Sequence, residues 1–241
     1  MLELAASDHR VRELAAGVDE PQNLVSYHLR LLRDGGLVTT TRSTFDGRET
    51  YYHLDLDRCA EGLRASGAAL HPALAWADTP PFPVSAQRQL GEVAVLFVCT
   101  GNSARSPIAE ALLRHRTSGH VTVTSAGSQP RSRLHDNTVR VLRDEFGIDV
   151  SGQRPRHLDQ VARRRFDQVV TLCDKAREVC PEFRSHPRRV HWSIPDPAAA
   201  DQAPADNYSA FQRTAAEIDT RIRHALPVLA NTITQHQEAL P

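Results

Sequence analysis

The chain of 241 residues contains no run of eighteen or more apolar residues, so no transmembrane helix is predicted. The opening Met1–Ser7 lacks the basic and apolar regions of a secretory signal, and a cytoplasmic location is expected. Net charge is also missing: 29 basic residues balance 29 acidic ones, so whole-chain charge points to no nucleic acid, membrane or acidic partner. Lysine is nearly absent, Lys175 being the one lysine among those 29, a skew without a fold consequence. Four cysteines in an intracellular chain read as catalytic or redox-active rather than as a structural disulfide framework. No internal repeat is evident. What remains is an ordinary globular composition, 40% hydrophobic and 24% charged, with length for one large or two small domains.

One stretch carries most of the chemistry. Val93–Val98 is apolar and β-favouring and reads as a buried parallel strand. Ile108–His115 reads as a helix, with Pro107 at a first helical position where a missing N–H costs nothing. Between them lies Cys99-Thr100-Gly101-Asn102-Ser103-Ala104-Arg105-Ser106, with Gly101 and Asn102 available for backbone angles that other residues resist. A loop feeding a helix N-terminus turns its N–H groups inward and adds the positive end of the helix dipole. Thr100, Gly101, Asn102, Ser103, Ala104 and Ser106 are therefore the candidates to cradle a tetrahedral oxyanion. Arg105 is placed to clasp two of its oxygens. The same field predicts a lowered pKa for Cys99 and a thiolate nucleophile. Cys99 alone is more readily a buried structural cysteine; strand, Cys, Gly-Asn, Arg-Ser and helix together point to an oxyanion-handling enzyme.

Downstream, Val121–Ser125 reads as a second strand ending in Ala126-Gly127, and His135–Phe146 as an amphipathic helix. A short helix at His157–Arg165, strands at Phe166–Leu172 and Arg189–Ile194, and a closing helix at Asn207–Thr234 complete the pattern. Strands alternating with helices predict a four-stranded parallel sheet with flanking helices. The loop then lies at the C-terminal end of a strand, where α/β sheets bind ligands.

The word Val98–Pro107, the word Ser125-Ala126-Gly127 and Asp196-Pro197 are similar to the low-molecular-weight tyrosine phosphatase superfamily, across essentially all of residues 92–241. The resemblance implies that Asp196 is the loop acid protonating a leaving oxygen, where a turn-capping aspartate before proline is the plainer alternative. Thr171–Pro181, with Cys173 and Cys180 seven apart, resembles the redox segment of thioredoxin-coupled arsenate reductases. So do Cys99–Ser103 and Trp192-x-x-x-Asp196-Pro197-Ala198. Phosphatases more often place an aromatic residue where this chain has Ala198. The resemblance thus implies an arsenate reductase working by a Cys99–Cys173–Cys180 relay, with no bound cofactor and an external thiol reductant, thioredoxin-like or small-thiol. That family's loop usually carries a second cysteine at the place of Ala104, a thiol the relay does not require. A protein-tyrosine phosphatase acting on phosphate esters, and an oxyanion-sensing transcription factor without turnover, are the alternatives.

The first part of the chain reads differently. Val11–Ala16 and Pro21–Asp34 are predicted helices across the turn Gly17–Glu20, with Gly35-Gly36 ending the second. Leu37–Ser43 and Glu49–Leu54 form a predicted hairpin around Asp46-Gly47. The words Val25–Val38 and Tyr51–Leu54 resemble the ArsR-type repressor family, which implies a winged helix-turn-helix, mostly α with a β-hairpin, that binds double-stranded DNA. By that resemblance Gln22, Asn23, Ser26, Tyr27 and Arg30 face bases and phosphates, and Arg42 and Arg48 flank the wing tip. The family carries more helices ahead of this motif than the stretch before His9 supplies. A truncated domain, or dimerisation through other surfaces, is therefore expected. Residues 1–91 hold nine basic against twelve acidic residues, net −3, so DNA binding there rests on local arginine placement. Only Cys59 lies in this half, and no metal site is expected; His28 and His53 are assigned to core packing or DNA contact. Asp57–Leu70 is predicted as an amphipathic helix that serves a homodimer. The proline-rich 75–91 is predicted as a stiff linker between domains 1–74 and 92–241.

Overall fold

The computed structural model describes residues 2–71, 93–183, 187–199 and 207–238. The chain divides into two compact units, Met1–Pro83 and Val84–Pro241. The predicted linker 75–91 lies outside the described residues.

In the first unit α1 (Leu2–Ala6) and β1 (His9–Arg10) precede α2 (Val11–Val18), α3 (Gln22–Asp34), β2 (Val38–Arg42), β3 (Thr50–Leu54) and α4 (Leu56–Leu70). The apolar positions of α2 and α3 meet the hairpin in a small core of Leu4, Leu14, Leu29 and Val38, packed by Val11, Val25, Leu32, Tyr52 and Leu54. Glu13 caps α2 by accepting the Arg10 N–H at 2.9 Å. Asp19, in a left-handed conformation, turns the chain toward α3, which ends at Gly35 ahead of left-handed Gly36. β2 and β3 pair antiparallel from Val38↔Leu54 to Arg42↔Thr50. The connecting loop is longer than a two-residue turn: the Ser43 N–H meets the Glu49 carbonyl at 2.9 Å and the Arg48 N–H meets Asp46 Oδ1 at 3.0 Å. Gly47 is not left-handed. In this unit two elements escaped the sequence reading, α1 and β1, whose two residues add a third strand beside β3. His28 lies exposed rather than in the core.

The second unit holds β4 (Ala94–Cys99), α5 (Arg105–Arg116), β5 (Thr122–Gly127), α6 (Asp136–Phe146), β6 (Gln168–Thr171), α7 (Asp174–Val179), β7 (Arg188–His191) and α8 (Tyr208–Glu238). The sheet is parallel throughout, in the order β5-β4-β6-β7. β4 is central, and Val95, Leu96, Phe97, Val98 and Cys99 are buried, as a strand covered on both faces requires. α8 packs on α5 and α6 along one stripe of Phe211, Ala215, Ile218, Ile222 and Leu226.

Several boundaries differ from expectation. α5 begins at Arg105, so Pro107 occupies the third helical position, still within the turn whose N–H groups lack intrahelical partners. The predicted helix His157–Arg165 is a single 3₁₀ turn, Leu158–Gln160, because Gly127 bridges His157 and its N–H holds the Arg156 carbonyl at 2.9 Å. α8 runs past the predicted Thr234 and contains Pro227.

Candidate active site

The β4–α5 loop forms because β4 stops at Cys99 and Asn102 takes a left-handed turn, φ 44°. The neighbouring strand presses against it: a Cβ on Gly127 would meet the Thr100 carbonyl at 2.5 Å and the Asn102 nitrogen at 2.9 Å, so only glycine fits. Asn102 is fully buried and points its side chain into the framework. Its amide donates to Ser106 Oγ and Ser125 Oγ at 2.9 Å each, and its oxygen accepts the Arg156 N–H at 2.7 Å. Its own N–H points at Cys99 Sγ at 3.2 Å, and Ser106 Oγ lies 3.0 Å from the same sulfur.

Cys99, Thr100, Gly101, Ser103, Ala104 and Arg105 line a cleft of about 380 Å³ together with Gln129, Pro130, Arg131, Asp196 and Ala198. Of the predicted oxyanion residues, Asn102 and Ser106 lie behind the cleft, holding the sulfur and the loop. Ser103 contributes a carbonyl that accepts the His135 N–H at 3.0 Å and Thr138 Oγ1 at 2.9 Å. The Thr100 hydroxyl is engaged with Cys173 Sγ at 3.3 Å.

Arg105 is buried, and its guanidinium donates to the Ile194 carbonyl and to Asp196 Oδ2, both at 2.9 Å. Its Nε has no partner among the described residues. Asp196 is 45% exposed, and its other oxygen accepts the Ala198 N–H at 3.1 Å, so the turn-capping role and a place at the cleft coexist. The predicted lowering of the Cys99 pKa is not met. Burial pushes this thiol up, and a neighbouring Cys173 adds to the rise; Arg105 and Ser106 pull it down without prevailing. Arg105 is the strongest of the groups pulling it down, and burial still outweighs it.

Cys173 is buried at the N-terminal cap of α7, and half-buried Cys180 caps its C-terminus. Burial raises the Cys180 pKa, against Arg189. The six-residue helix between them was not foreseen. It holds the two Cα atoms about 10 Å apart at ~1.5 Å per residue. A disulfide needs roughly 4.4–6.8 Å.

Two buried polar networks carried no signal strong enough to read in the sequence. Glu110, on α5, accepts from Ser125 Oγ at 2.5 Å, Arg114 at 2.6 Å, Gln153 at 2.7 Å and Arg156 at 3.1 Å. Burial pushes its carboxyl up, but the donors Arg156, Ser125 and Arg114 outweigh this and hold it below the ordinary value. Ser125 and Arg156 both reach Asn102, so Glu110 braces the loop from behind. At the other side Asp174, the residue after Cys173, accepts from Ser193 Oγ at 2.8 Å and lies 3.1 Å from His191 Nε2. His191 Nδ1 is in turn 2.9 Å from Thr171 Oγ1.

On the first unit Gln22, Asn23, Ser26, Tyr27 and Arg30 are all exposed on α3, and Arg42 and Arg48 are exposed on the hairpin. Asn23, Ser26, Tyr27 and Arg30 line a hollow of about 510 Å³ with Arg33 and Tyr52. The Arg30 guanidinium sits 5.6 Å from the Tyr27 ring centroid. His53 Nε2 is bonded to Thr39 Oγ1. Among the described residues no three His, Cys, Asp or Glu side chains could share a metal ion, and no helix is long and apolar enough to cross a membrane.

Comparison with known proteins places these observations in a family. Residues 94–238 match the profile of the family described as low molecular weight phosphotyrosine protein phosphatase. The arsenate reductase of Halalkalibacterium halodurans is 37% identical over 134 residues, 56% of this chain and 95% of the relative. That of Shouchella clausii is 39% identical over 131 residues, 54% of this chain and 91% of the relative. The structure of a thioredoxin-dependent arsenate reductase from Corynebacterium glutamicum superposes with a TM-score of 0.47 at 30% identity, covering 62% of this chain and 71% of that one.

Proposed function

The chain belongs to the low molecular weight phosphotyrosine protein phosphatase family through residues 94–238, and from that premise we propose that this enzyme is an arsenate reductase. The observation that carries the reading is Cys173 buried against the anion loop, its sulfur 3.3 Å from Thr100 Oγ1. Ester hydrolysis has no use for a second thiol there. Reduction of arsenate requires one, because two electrons must come from sulfur. Sequence identity above 35% to the two curated arsenate reductases supports the same choice.

In this proposal arsenate sits in the cup of loop N–H groups with Arg105 on its oxygens. The Cys99 thiolate attacks arsenic, and a water leaves with a proton donated through Asp196. The Cys173 thiolate then attacks Cys99 Sγ. An S–S bond forms, the S–As bond breaks, and its electron pair stays on arsenic, which departs as arsenite. Cys180 next attacks Cys173 and frees Cys99, leaving a Cys173–Cys180 disulfide for an external dithiol to reduce. The last transfer requires α7 to unwind, since the intact helix holds its two ends too far apart.

Purified protein offered arsenate and a thioredoxin-type reductant forms arsenite, and Cys99→Ser and Cys173→Ser each abolish it. The second reading, an aryl phosphatase, is favoured by Cys99, Arg105 and Asp196 sharing one cleft. It holds if p-nitrophenyl phosphate is hydrolysed by Cys173→Ser and no arsenite appears.

For the first unit we propose a winged helix-turn-helix that binds duplex DNA through α3, supported by the exposure of Gln22, Asn23, Ser26, Tyr27 and Arg30 together on that helix. Arg42 and Arg48 then meet the phosphate backbone. α4 is proposed as the dimer surface: none of its residues is buried, and Leu63 and Leu70 are 68% and 79% exposed. A sensor that binds the oxyanion without turnover would show anion-dependent DNA binding and no arsenite.

A further inference from the structure

The rim of the Cys99 cleft carries a second arginine. The segment after β5 is stitched to the anion loop by the Ser128 N–H to the Cys99 carbonyl at 3.3 Å, Gln129 to Thr100 at 2.9 Å and Arg131 to Gly101 at 2.9 Å. These backbone bonds fix where Arg131 stands. Its side chain crosses over Gly101, so that a Cβ there would lie 3.4 Å from Arg131 Cγ and 4.0 Å from Nε. It is exposed, pairs with no carboxylate among the described residues, and lines the cleft.

The charge balance of the cleft shows what this arginine does. Besides Cys99, the charged residues lining it are Arg105, Arg131 and Asp196. Arg105 already shares its charge with Asp196 at 2.9 Å. With Cys99 ionised and Arg131 absent, the cleft would be net negative and would repel a dianion. Arg131 brings the balance to neutral and puts its guanidinium at the mouth, where a free tetrahedral dianion has oxygens to offer.

We propose that Arg131 is a second guanidinium of the anion site, a specificity-determining residue that admits free tetrahedral dianions to Cys99. This deepens the reading of the cleft as an oxyanion site and rests on it. Because Arg131 is exposed, its effect is modest and screened by salt.

The test needs no turnover. Alkylation of Cys99 by iodoacetamide is followed in rising phosphate or arsenate, each variant's rate normalised to its own unprotected rate. Arg131→Ala raises the half-protecting concentration several-fold, on the order of fivefold, at low ionic strength. Arg131→Glu raises it further, Arg131→Lys restores part of it, and the differences shrink in high salt. Arg133→Ala, removing an exposed arginine bonded to Asp136 at 2.7 Å, leaves protection unchanged. Wild-type protection shared equally by Arg131→Ala and Arg131→Glu at low salt overturns the proposal. Failure of both anions to protect the wild type overturns the oxyanion reading of the cleft and the proposal with it. Arsenite yield is assayed in parallel: protection that depends on Arg131 without arsenite supports the proposal and counts against the reductase reading alone.

Discussion

At the residue scale, the proposed chemistry of the free enzyme turns on the ionisation of Cys99. Burial disfavours the thiolate, so its pKa stands above the ordinary thiol value and the alkylation rate climbs with pH through an inflection above that value. Asp196→Asn removes a negative charge and leaves Arg105 uncompensated. Both changes favour the thiolate, so the inflection moves to lower pH; an unchanged or raised inflection contradicts the electrostatic account. Gly127 makes the second residue-scale prediction. Gly127→Ala sets a Cβ against the Thr100 carbonyl, at a cost of about 1–3 kcal/mol read from urea unfolding, and weakens anion protection of Cys99. The Cys-x5-Arg loop was legible because it is local and tied to backbone geometry; Ser-Ala-Gly was legible only through the family resemblance, and the reason for its glycine came from the structure. Glu110, Arg156, Asp174 and His191 were not: their importance comes from partners distant in sequence, with Glu110 meeting Arg156 across 46 positions. The Cys99 pKa was misjudged because a sequence displays the helix and the arginine, but neither the burial of the thiol nor the Cys173 packed beside it.

At the scale of elements, α7 is the part that the proposed relay requires to move. Its first residue is held by Ser193 and His191, while Lys175, Glu178 and Val179 are exposed. A helix of six residues has little stability of its own. Amide exchange in Lys175–Val179 is therefore expected to quicken when the wild type is oxidised by arsenate in the absence of reductant. The same amides in Cys180→Ser stay slow. α8 is the opposite case, a stripe of fully buried side chains. Phe211→Ala, which also removes the ring stacked on His135 at 4.5 Å, destabilises by roughly 3–5 kcal/mol in denaturant titration, and a loss under 1 kcal/mol refutes the packing described. Long periodic elements such as α3, α6 and α8 were readable because an apolar stripe marks them. β1 was not, because two residues are too few to show alternation. The segment 157–165 misled because its conformation is imposed by Gly127 on a neighbouring strand rather than by its own spacing.

For the whole molecule, the chain divides into two compact units, and the first has a small core of its own. The proposed DNA contact rests on few charges in a unit whose composition is net acidic. Arg30→Ala therefore weakens retention on a random duplex library and flattens its salt dependence; equal retention and slope argue for a protein-contact role of α3. Leu63→Glu dissociates any dimer formed through α4, as sedimentation would register. Neither result bears on the thiol relay. The most direct measurement of that relay is a single turnover with arsenate and no reductant, followed by peptide mapping of the disulfides. Cys180→Ser is predicted to accumulate a Cys99–Cys173 disulfide with one equivalent of arsenite released, and the wild type a Cys173–Cys180 disulfide. Arsenate that leaves all three thiols reduced in both proteins would contradict the account.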